Sequence, residues 1–409
     1  MRDKLRNAFV VVVAAAAALG VASLVTAQPA PTSIKVGWAI SKTGPYVGGA
    51  GITTLPAYQV WVKDVNAAGG IMLKSLGKKL PIEVIEYDDR SNSDEMIKAV
   101  ERLATQDKVD FILPPWGTAF NLAVGPILNR HGYPHLAVTA TTDRAPELAK
   151  RWPNSFWFLG TSSQGALGLV DVLTKLRAER KIGDTVAMVS VADQFGIELA
   201  TAAREAFKKA RFNAVYDKSY PLGTQDMQPI LTEAMRSQAD VFVAFSYPPD
   251  TLAITEQARL LDYNPKVFYT AVGTAFPLFR QKFGASTEGV MGIGGINPEA
   301  PAFKDYLARH AEATGGRQPD RWANPVTYAS LQILQQAIER VGRVDRAAVI
   351  KEIQTGAFDT IVGPVKLQNN LRVDGWQVGQ WQAGEYYGLA PATLPGARPV
   401  MFPKPAWKR

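Results

Sequence analysis

The sequence predicts an α/β protein built as two lobes, each a doubly wound parallel sheet, on three observations. Short apolar runs of strand length alternate with amphipathic stretches of helical length from Ile34 to about Gly295. Strands spaced by helices imply parallel sheets covered on both faces. The alternation breaks over 152–163, near Pro153 and Gly160, and then restarts, so the chain holds two such blocks. At 409 residues it is also long enough for more than one core.

In the first block, residues 34–40 read as a strand, followed by a glycine-rich loop and a helix over 55–66 that ends at Ala67-Ala68-Gly69-Gly70. A strand follows over 81–87. Ser93 opens a helix over 93–106, with Asp94 and Glu95 in the first turn, where acids suit a helix start. Strands over 109–113 and 135–138 flank a helix over 121–130. The second block places helices over 164–180, 196–210, 227–237 and 249–261, and strands over 185–191, 215–220, 241–245 and 266–270. The rhythm breaks again over 289–301; residues 301–355 are mostly helical and 362–381 return to β-rich sequence. The expected organisation is a leader over 1–27, a first lobe of 28–159 plus about 296–377, and a second of 160–295 plus about 378–409.

The leader expectation rests on Arg2, Lys4 and Arg6, an apolar stretch over 8–25, and the small residues of Val25-Thr26-Ala27 before Gln28-Pro29. That is the layout of a cleavable secretory signal. Its removal takes three basic and one acidic residue, lowering the formal charge from +8 to +6. The remaining basic residues are dispersed, so a nucleic-acid footprint is not expected. The chain has no cysteine, which excludes a lipid-anchored cysteine, disulfides and thiolate metal sites.

Catalytic signatures are also missing. His131 and His135 are separated by Gly132 and Pro134, which defeats helical metal-ligand spacing. Around Ser162 and Ser163 the glycines Gly160 and Gly165 do not make a nucleophile elbow. The stretch from Gly70 to Lys79 misses phosphate-loop spacing, and Lys78 is followed by Lys79 rather than a hydroxyl residue. The expectation is a protein that is not an enzyme, with no cofactor and no metal.

Ligands of open parallel sheets sit beyond the carboxyl ends of the strands. In the first block those loops are Ser41–Tyr46, Pro114–Ala119 and Thr139-Ala140-Thr141-Thr142. In the second they are Asp193–Gly196, Ser246–Pro249 and Ala271-Val272-Gly273-Thr274. They are rich in hydroxyls, glycines and aromatics and poor in charge. Gly117-Thr118 offers backbone N–H groups and a hydroxyl suited to a carboxylate, although Thr118 fits a plain helix cap equally well. Tyr46, Trp116, Phe195 and Tyr247 singly fit a core or a pocket wall; four aromatics in four such loops favour the pocket.

Several ordered segments then resemble branched-chain-amino-acid-type (Leu/Ile/Val-binding-like) periplasmic solute-binding proteins. They are Ile34-Lys35-Val36-Gly37, Thr43-Gly44-Pro45-Tyr46, Val65–Gly70, Asp88-Asp89, Glu101-Arg102-Leu103, Ala123–Ile127 before Gly132-Tyr133-Pro134, and Gly363–Lys366 through Gly379-Gln380-Trp381. The resemblance covers about 34–381. It implies a type I periplasmic binding protein fold with a three-strand hinge, closing on a ligand that it delivers to a membrane permease and ATPase. It also implies that Thr118, Thr139 and Thr141, with Gly117 and Ala140, hold a ligand carboxylate, and that Phe195 and Tyr247 pack on the ligand.

Two departures bear on the solute. The loop around Val272 and Gly273 lacks the acid that meets an amino-acid ammonium in that family, and Trp116 stands where a small residue is usual. A buried ammonium needs a counter-charge. The expected ligand is therefore a carboxylate without an α-ammonium: an aromatic, keto or aliphatic acid. Asp193 or Asp250 would have to supply the counter-charge for an amino acid. The expected protein is a periplasmic monomer serving an ABC importer; a ligand sensor of the same fold is the alternative.

Overall fold

The computed structural model describes residues 31–408; the leader over 1–27 lies outside them. The first strand, β1 (Ile34–Ile40), has six of seven residues buried, as a central strand must. It pairs in parallel with β4 (Ile82–Asp88) and β5 (Phe111–Leu113). A further parallel pair, β6 (His135–Ala137) with β7 (Ser155–Trp157), packs next to β5. A small antiparallel hairpin, β2 (Ile71–Leu73) with β3 (Lys78–Leu80), stands apart.

The second sheet has seven strands. Its parallel body runs β9 (Asn213–Tyr220), β8 (Thr185–Val191), β10 (Val241–Phe245), β11 (Val267–Thr270) and β12 (Met291–Ile293). Two antiparallel strands, β15 (Val378–Gln382) and β16 (Glu385–Ala390), complete the edge beside β12. In chain order the body reads 2-1-3-4-5, and β4-β1-β5 opens the same way, 2-1-3, once the β2–β3 hairpin is set aside.

Helices α1 (Val47–Thr53) and α2 (Leu55–Ala67) follow β1, and α3 (Ser93–Thr105) follows β4. Helix α4 (Thr118–Arg130) follows β5, and the short α5 (Ala145–Arg151) lies between β6 and β7. In the second block α6 (Ser162–Ala178) precedes β8, and α7 (Gln194–Lys209), α8 (Gln228–Arg236) and α9 (Pro248–Leu260) follow β8, β9 and β10 in turn. Helix α10 (Pro277–Phe283) follows β11. After β12 come α11 (Pro301–Ala313), α12 (Ala323–Val341) and α13 (Arg346–Thr355), with α11 and α12 packed on α2. The hairpin β13 (Phe358–Thr360) with β14 (Gly363–Val365) follows, and the chain then returns to β15.

The segments that run between the two halves bond to one another. Trp157 N–H donates to Asn370 O at 2.8 Å, Arg372 N–H to Trp157 O at 2.9 Å, and Gly294 N–H to Gln377 O at 2.9 Å. Asp320, buried among them, accepts from the N–H groups of Trp322, Ala323 and Asn324 and so closes the start of α12. Among the described residues, no helix is long and apolar enough to cross a membrane.

The structure holds several elements that the sequence reading did not place, helices α5 and α10 and strand β16 among them. Helix α1 was expected as loop because three of its seven residues are glycine. Strands β7 and β12 lie inside the two stretches where the rhythm breaks, and the β2–β3 hairpin was not anticipated. Each of these strands has three residues, too few for periodicity to register.

Candidate functional site

In a 2-1-3 sheet, strands 1 and 3 send their chains to opposite faces, leaving a crevice beyond their carboxyl ends. Here that crevice occurs twice. In the first half it lies between the loops after β1 and β5, which carry Tyr46 and Trp116; in the second, between the loops after β8 and β10, which carry Asp193 and Tyr247. The two crevices face each other, and the four side chains meet. Ring centroids are 5.4 Å apart for Tyr46–Trp116, 5.7 Å for Tyr46–Tyr247 and 5.0 Å for Trp116–Tyr247. Phe195 stacks on Tyr247 at 5.1 Å with the planes 19° apart.

Trp116 is fixed from below. Its indole Nε1 donates to Thr53 Oγ1 at 3.0 Å, and that hydroxyl donates to Gly49 O at 2.9 Å. Gly49 is where a side chain is forbidden: an added Cβ would lie 2.0 Å from Trp116 Cζ2. Thus Gly49 lets the indole lie against the backbone of α1.

Behind Trp116, Gly117 takes a left-handed φ of 96° and α4 begins at Thr118 without a side-chain cap. As at any helix start, its first-turn N–H groups lack intrahelical partners, an arrangement that favours an anion. Thr139 Oγ1 accepts from Gly117 N–H at 3.0 Å and keeps its own proton to donate. Thr118 and Thr141 are placed differently from the expectation: both are fully buried. Thr118 Oγ1 accepts from Thr141 N–H at 3.2 Å, and Thr141 Oγ1 pairs with Ser162 Oγ at 3.1 Å. They build the wall rather than face the cavity. His135 starts β6 and bonds Asn121 and Ser155; burial pushes it down to about 3, so it stays neutral and structural.

Across the crevice, Asp193 caps α7, accepting from Gln194 N–H at 2.6 Å through Oδ1. Its Oδ2 accepts from Tyr247 OH at 2.6 Å and from Tyr46 OH at 3.1 Å. Burial, and then the Asp193 charge, push both tyrosines above their ordinary range, so both remain protonated donors. Asp250 is turned away, held by Tyr247 N–H and Tyr220 OH, and burial raises it to about 6 against those bonds.

The space enclosed is about 20 Å³, roughly one water, so a larger solute enters only as the aromatic side chains part. Of the sequence-derived candidates, Trp116, Gly117, Thr139, Phe195, Tyr247 and Val272 line it. Tyr46 closes it through the aromatic cluster. Ala140, Thr118 and Thr141 lie buried behind, and Gly273 faces a separate apolar cavity with Pro248 and Phe276. Sequence reasoning missed Thr53, Leu159, Trp322 and Ala323, which also line the space. Trp322 caps the start of α12, packs against Trp376 at 5.5 Å with the rings tilted by 36°, and donates to Gly375 O at 3.5 Å. No strand-end signal marks it.

Comparison with known proteins bears on fold and family. The Leu/Ile/Val-binding protein of Escherichia coli K12 is 26% identical over 331 residues, covering 79% of this chain and 84% of its own. The Leu/Ile/Val-binding protein homolog 7 of Brucella suis is 23% identical over 395 residues, covering 91% and 96%. Among solved structures, a solute-binding protein of an ABC transporter from R. palustris in complex with benzoate superposes with a TM-score of 0.75 at 16% identity, covering 87% of this chain and 95% of that one. A branched-chain amino acid transporter substrate-binding protein of Streptococcus pneumoniae in complex with isoleucine gives 0.74 at 21%, covering 88% and 100%. The fold is therefore the type I periplasmic binding protein fold. The model of one family, described as periplasmic binding protein, matches residues 33–385. With that match spanning nearly all of the described residues, the chain belongs to the periplasmic binding protein family.

Proposed function

We propose that this protein is the extracytoplasmic solute-binding component of an ABC importer and that it holds a small carboxylate, with an aromatic acid favoured over keto and aliphatic acids, in the cleft between its halves. One observation carries the reading: the uncapped start of α4 and the Thr139 hydroxyl open onto a cavity otherwise walled by Trp116, Phe195, Tyr247 and Trp322. Donors at one end and flat apolar faces elsewhere suit an anionic head on a planar body. Relatives of this fold bind benzoate in one case and isoleucine in another, so the fold itself accepts either class.

The protein acts by closing. Ligand contacts made to both halves favour the closed population, which a permease reads. The leader over 1–27 fits export, and the working form is a monomer that hands its ligand to a permease and its ATPase. A thermal-shift screen of the chain without residues 1–27 tests the reading against amino acids, aromatic acids, keto acids and dicarboxylates. Binding to the folded state alone raises apparent stability. Stabilisation by aromatic acids is expected; stabilisation by amino acids alone would overturn it.

A further inference from the structure

Beside the space of about 20 Å³ lies a second cavity of about 200 Å³. Gly48 and Ile52 of the first half and Pro248, Leu252, Phe276 and Phe279 of the second border it, and it presents almost only carbon. The two spaces share three segments. Thr53, Tyr247 and Val272 line the smaller one, and their chain neighbours Ile52, Pro248 and Gly273 line the larger. Consecutive Cα atoms are about 3.8 Å apart, so the spaces lie within a residue's breadth of each other. One shared segment belongs to α1 and the other two to the loops after β10 and β11, so the spaces meet at the seam along which the halves close. We propose that the larger cavity receives the aromatic ring of the ligand, and that the ligand is an arylalkanoic acid, its ring several bonds from its carboxylate.

This inference rests on the carboxylate reading above, and volume drives it. The smaller space holds roughly one water, so a carboxylate at Gly117 and Thr139 leaves no room there for a ring. An apolar cavity of about 150 Å³ is enough for benzene, and the neighbouring cavity exceeds that. A charged or polar terminus placed in it would lose its water and gain no partner. Two glycines keep the seam bare. Gly273 has a left-handed φ of 111°, and an added Cβ would lie 3.0 Å from Pro248 Cα. At Gly48 an added Cβ would come within 3.5 Å of Pro249 Cδ, so the halves already approach contact distance beside the cavity. A ring held there touches both halves and favours their closure. Trp116, Phe195 and Tyr247 then flank the spacer between carboxylate and ring.

Calorimetric titration of the chain without residues 1–27 tests this with benzoate, phenylacetate, 3-phenylpropionate and 4-phenylbutyrate. One buried methylene is worth about fourfold in affinity, so the best of the longer acids is expected to exceed benzoate by about tenfold or more. Leu252→Trp in α9 and Leu278→Trp in α10 each fill the cavity from a different side. Both positions retain solvent exposure, so the fold should survive, and unliganded melting curves check it. In either variant the advantage of the longer acids should fall close to one while benzoate binding stays unchanged. Benzoate binding as tightly as every longer acid, or a preference for length that survives both substitutions, would overturn the subsite and leave the carboxylate reading standing. Sedimentation of the unliganded chain should show a monomer; self-association abolished by Leu278→Trp would assign the cavity to a second copy and overturn the proposal. Binding by none of the four acids would sink the carboxylate reading and this inference together.

Discussion

The two crevices share a topology and differ in chemistry. Beyond β1 and β5 the chain presents donors: the open start of α4 and the Thr139 hydroxyl. Beyond β8 and β10 it presents an acceptor, Asp193, ringed by Phe195 and Tyr247. Strand order decides where the loops meet, and a few loop residues decide the polarity of each end. On the proposed function, the donor end would anchor a carboxylate and the other would meet the rest of the solute. Substitutions on the donor side should weaken all carboxylates together; those on the acceptor side should change the ranking.

The largest effect is expected at Gly49, on the donor side. In Gly49→Ala the new Cβ would meet Trp116 Cζ2 at 2.0 Å and Cε2 at 2.4 Å. Neither the buried indole nor the helix backbone can yield that distance without repacking. A stability loss of about 1 to 3 kcal/mol is expected from overpacking, together with a fall in affinity of roughly a hundredfold as the cavity floor is displaced. Gly51 lies in the same short helix with nothing within 4 Å of its Cβ position. Gly51→Ala should bind normally and gain about 0.5 to 1 kcal/mol. Denaturant melts and calorimetry on the pair check both; equal behaviour would remove Trp116 from the site.

That contrast also shows what was legible in the sequence. The bounds of β1, β8 and β10 follow from largely apolar runs, unbroken in the VFVAF of β10, because a strand buried on both faces has few polar positions to blur it. Loop positions followed from strand ends, which is why six of the expected residues line the cavity. Helix α1 was hidden because Gly48, Gly49 and Gly51 weaken any helical reading, and the reason for Gly49 is Trp116, distant in sequence. Trp322 was hidden for a related cause: it reaches the cavity from the segment where the chain passes back into the first half, and neither period nor turn chemistry announces that. The pairing of Thr118 with Thr141 was hidden because hydroxyls that cap, bond a neighbour or bind a ligand look alike in a sequence.

The next effect in size belongs to the crossing segments, which join the two ends. Gly294 has φ of 102°, and an added Cβ would lie 2.5 Å from Trp322 Cβ. Gly294→Ala is expected to cost about 1 to 3 kcal/mol through backbone strain. It should also lower affinity for every ligand by roughly tenfold, the size that a shift of about 1.4 kcal/mol produces, because Trp322 is a cavity wall. Unchanged affinity alongside lowered stability would show that Trp322 lines the space without contacting solute.

Asp320 makes the crossing region sensitive to pH. Burial raises it from 3.8 to about 6, against the pull of the Asn324 and Ala323 N–H groups. With the folded value above the unfolded one, the folded state holds the extra proton between these limits. This contribution to stability is full below about 3.8 and is lost as pH rises through about 6. Urea melts of the wild type and Asp320→Asn between pH 4 and 7.5 isolate it from other groups. The wild type should gain on the variant as pH falls, by up to roughly 3 kcal/mol at ~1.4 kcal/mol per unit. A difference independent of pH would refute the assignment.

The smallest effect separates anchoring from discrimination most cleanly. Thr53 is fully buried, and its hydroxyl is the acceptor for the Trp116 indole. Thr53→Val keeps the shape, removes that acceptor and leaves a buried N–H unpaired, which should cost about 1 to 3 kcal/mol of stability. The ring itself keeps its packing against Tyr46 and Tyr247, so affinity for aromatic acids should fall only a few-fold, roughly 3 to 10. Because Thr53 acts through the indole, hydroxylated and plain aromatic acids should weaken by the same factor. Calorimetry with benzoate and 4-hydroxybenzoate on this variant decides it. A change in their ratio would mean that the position of Trp116 sets which acid is preferred.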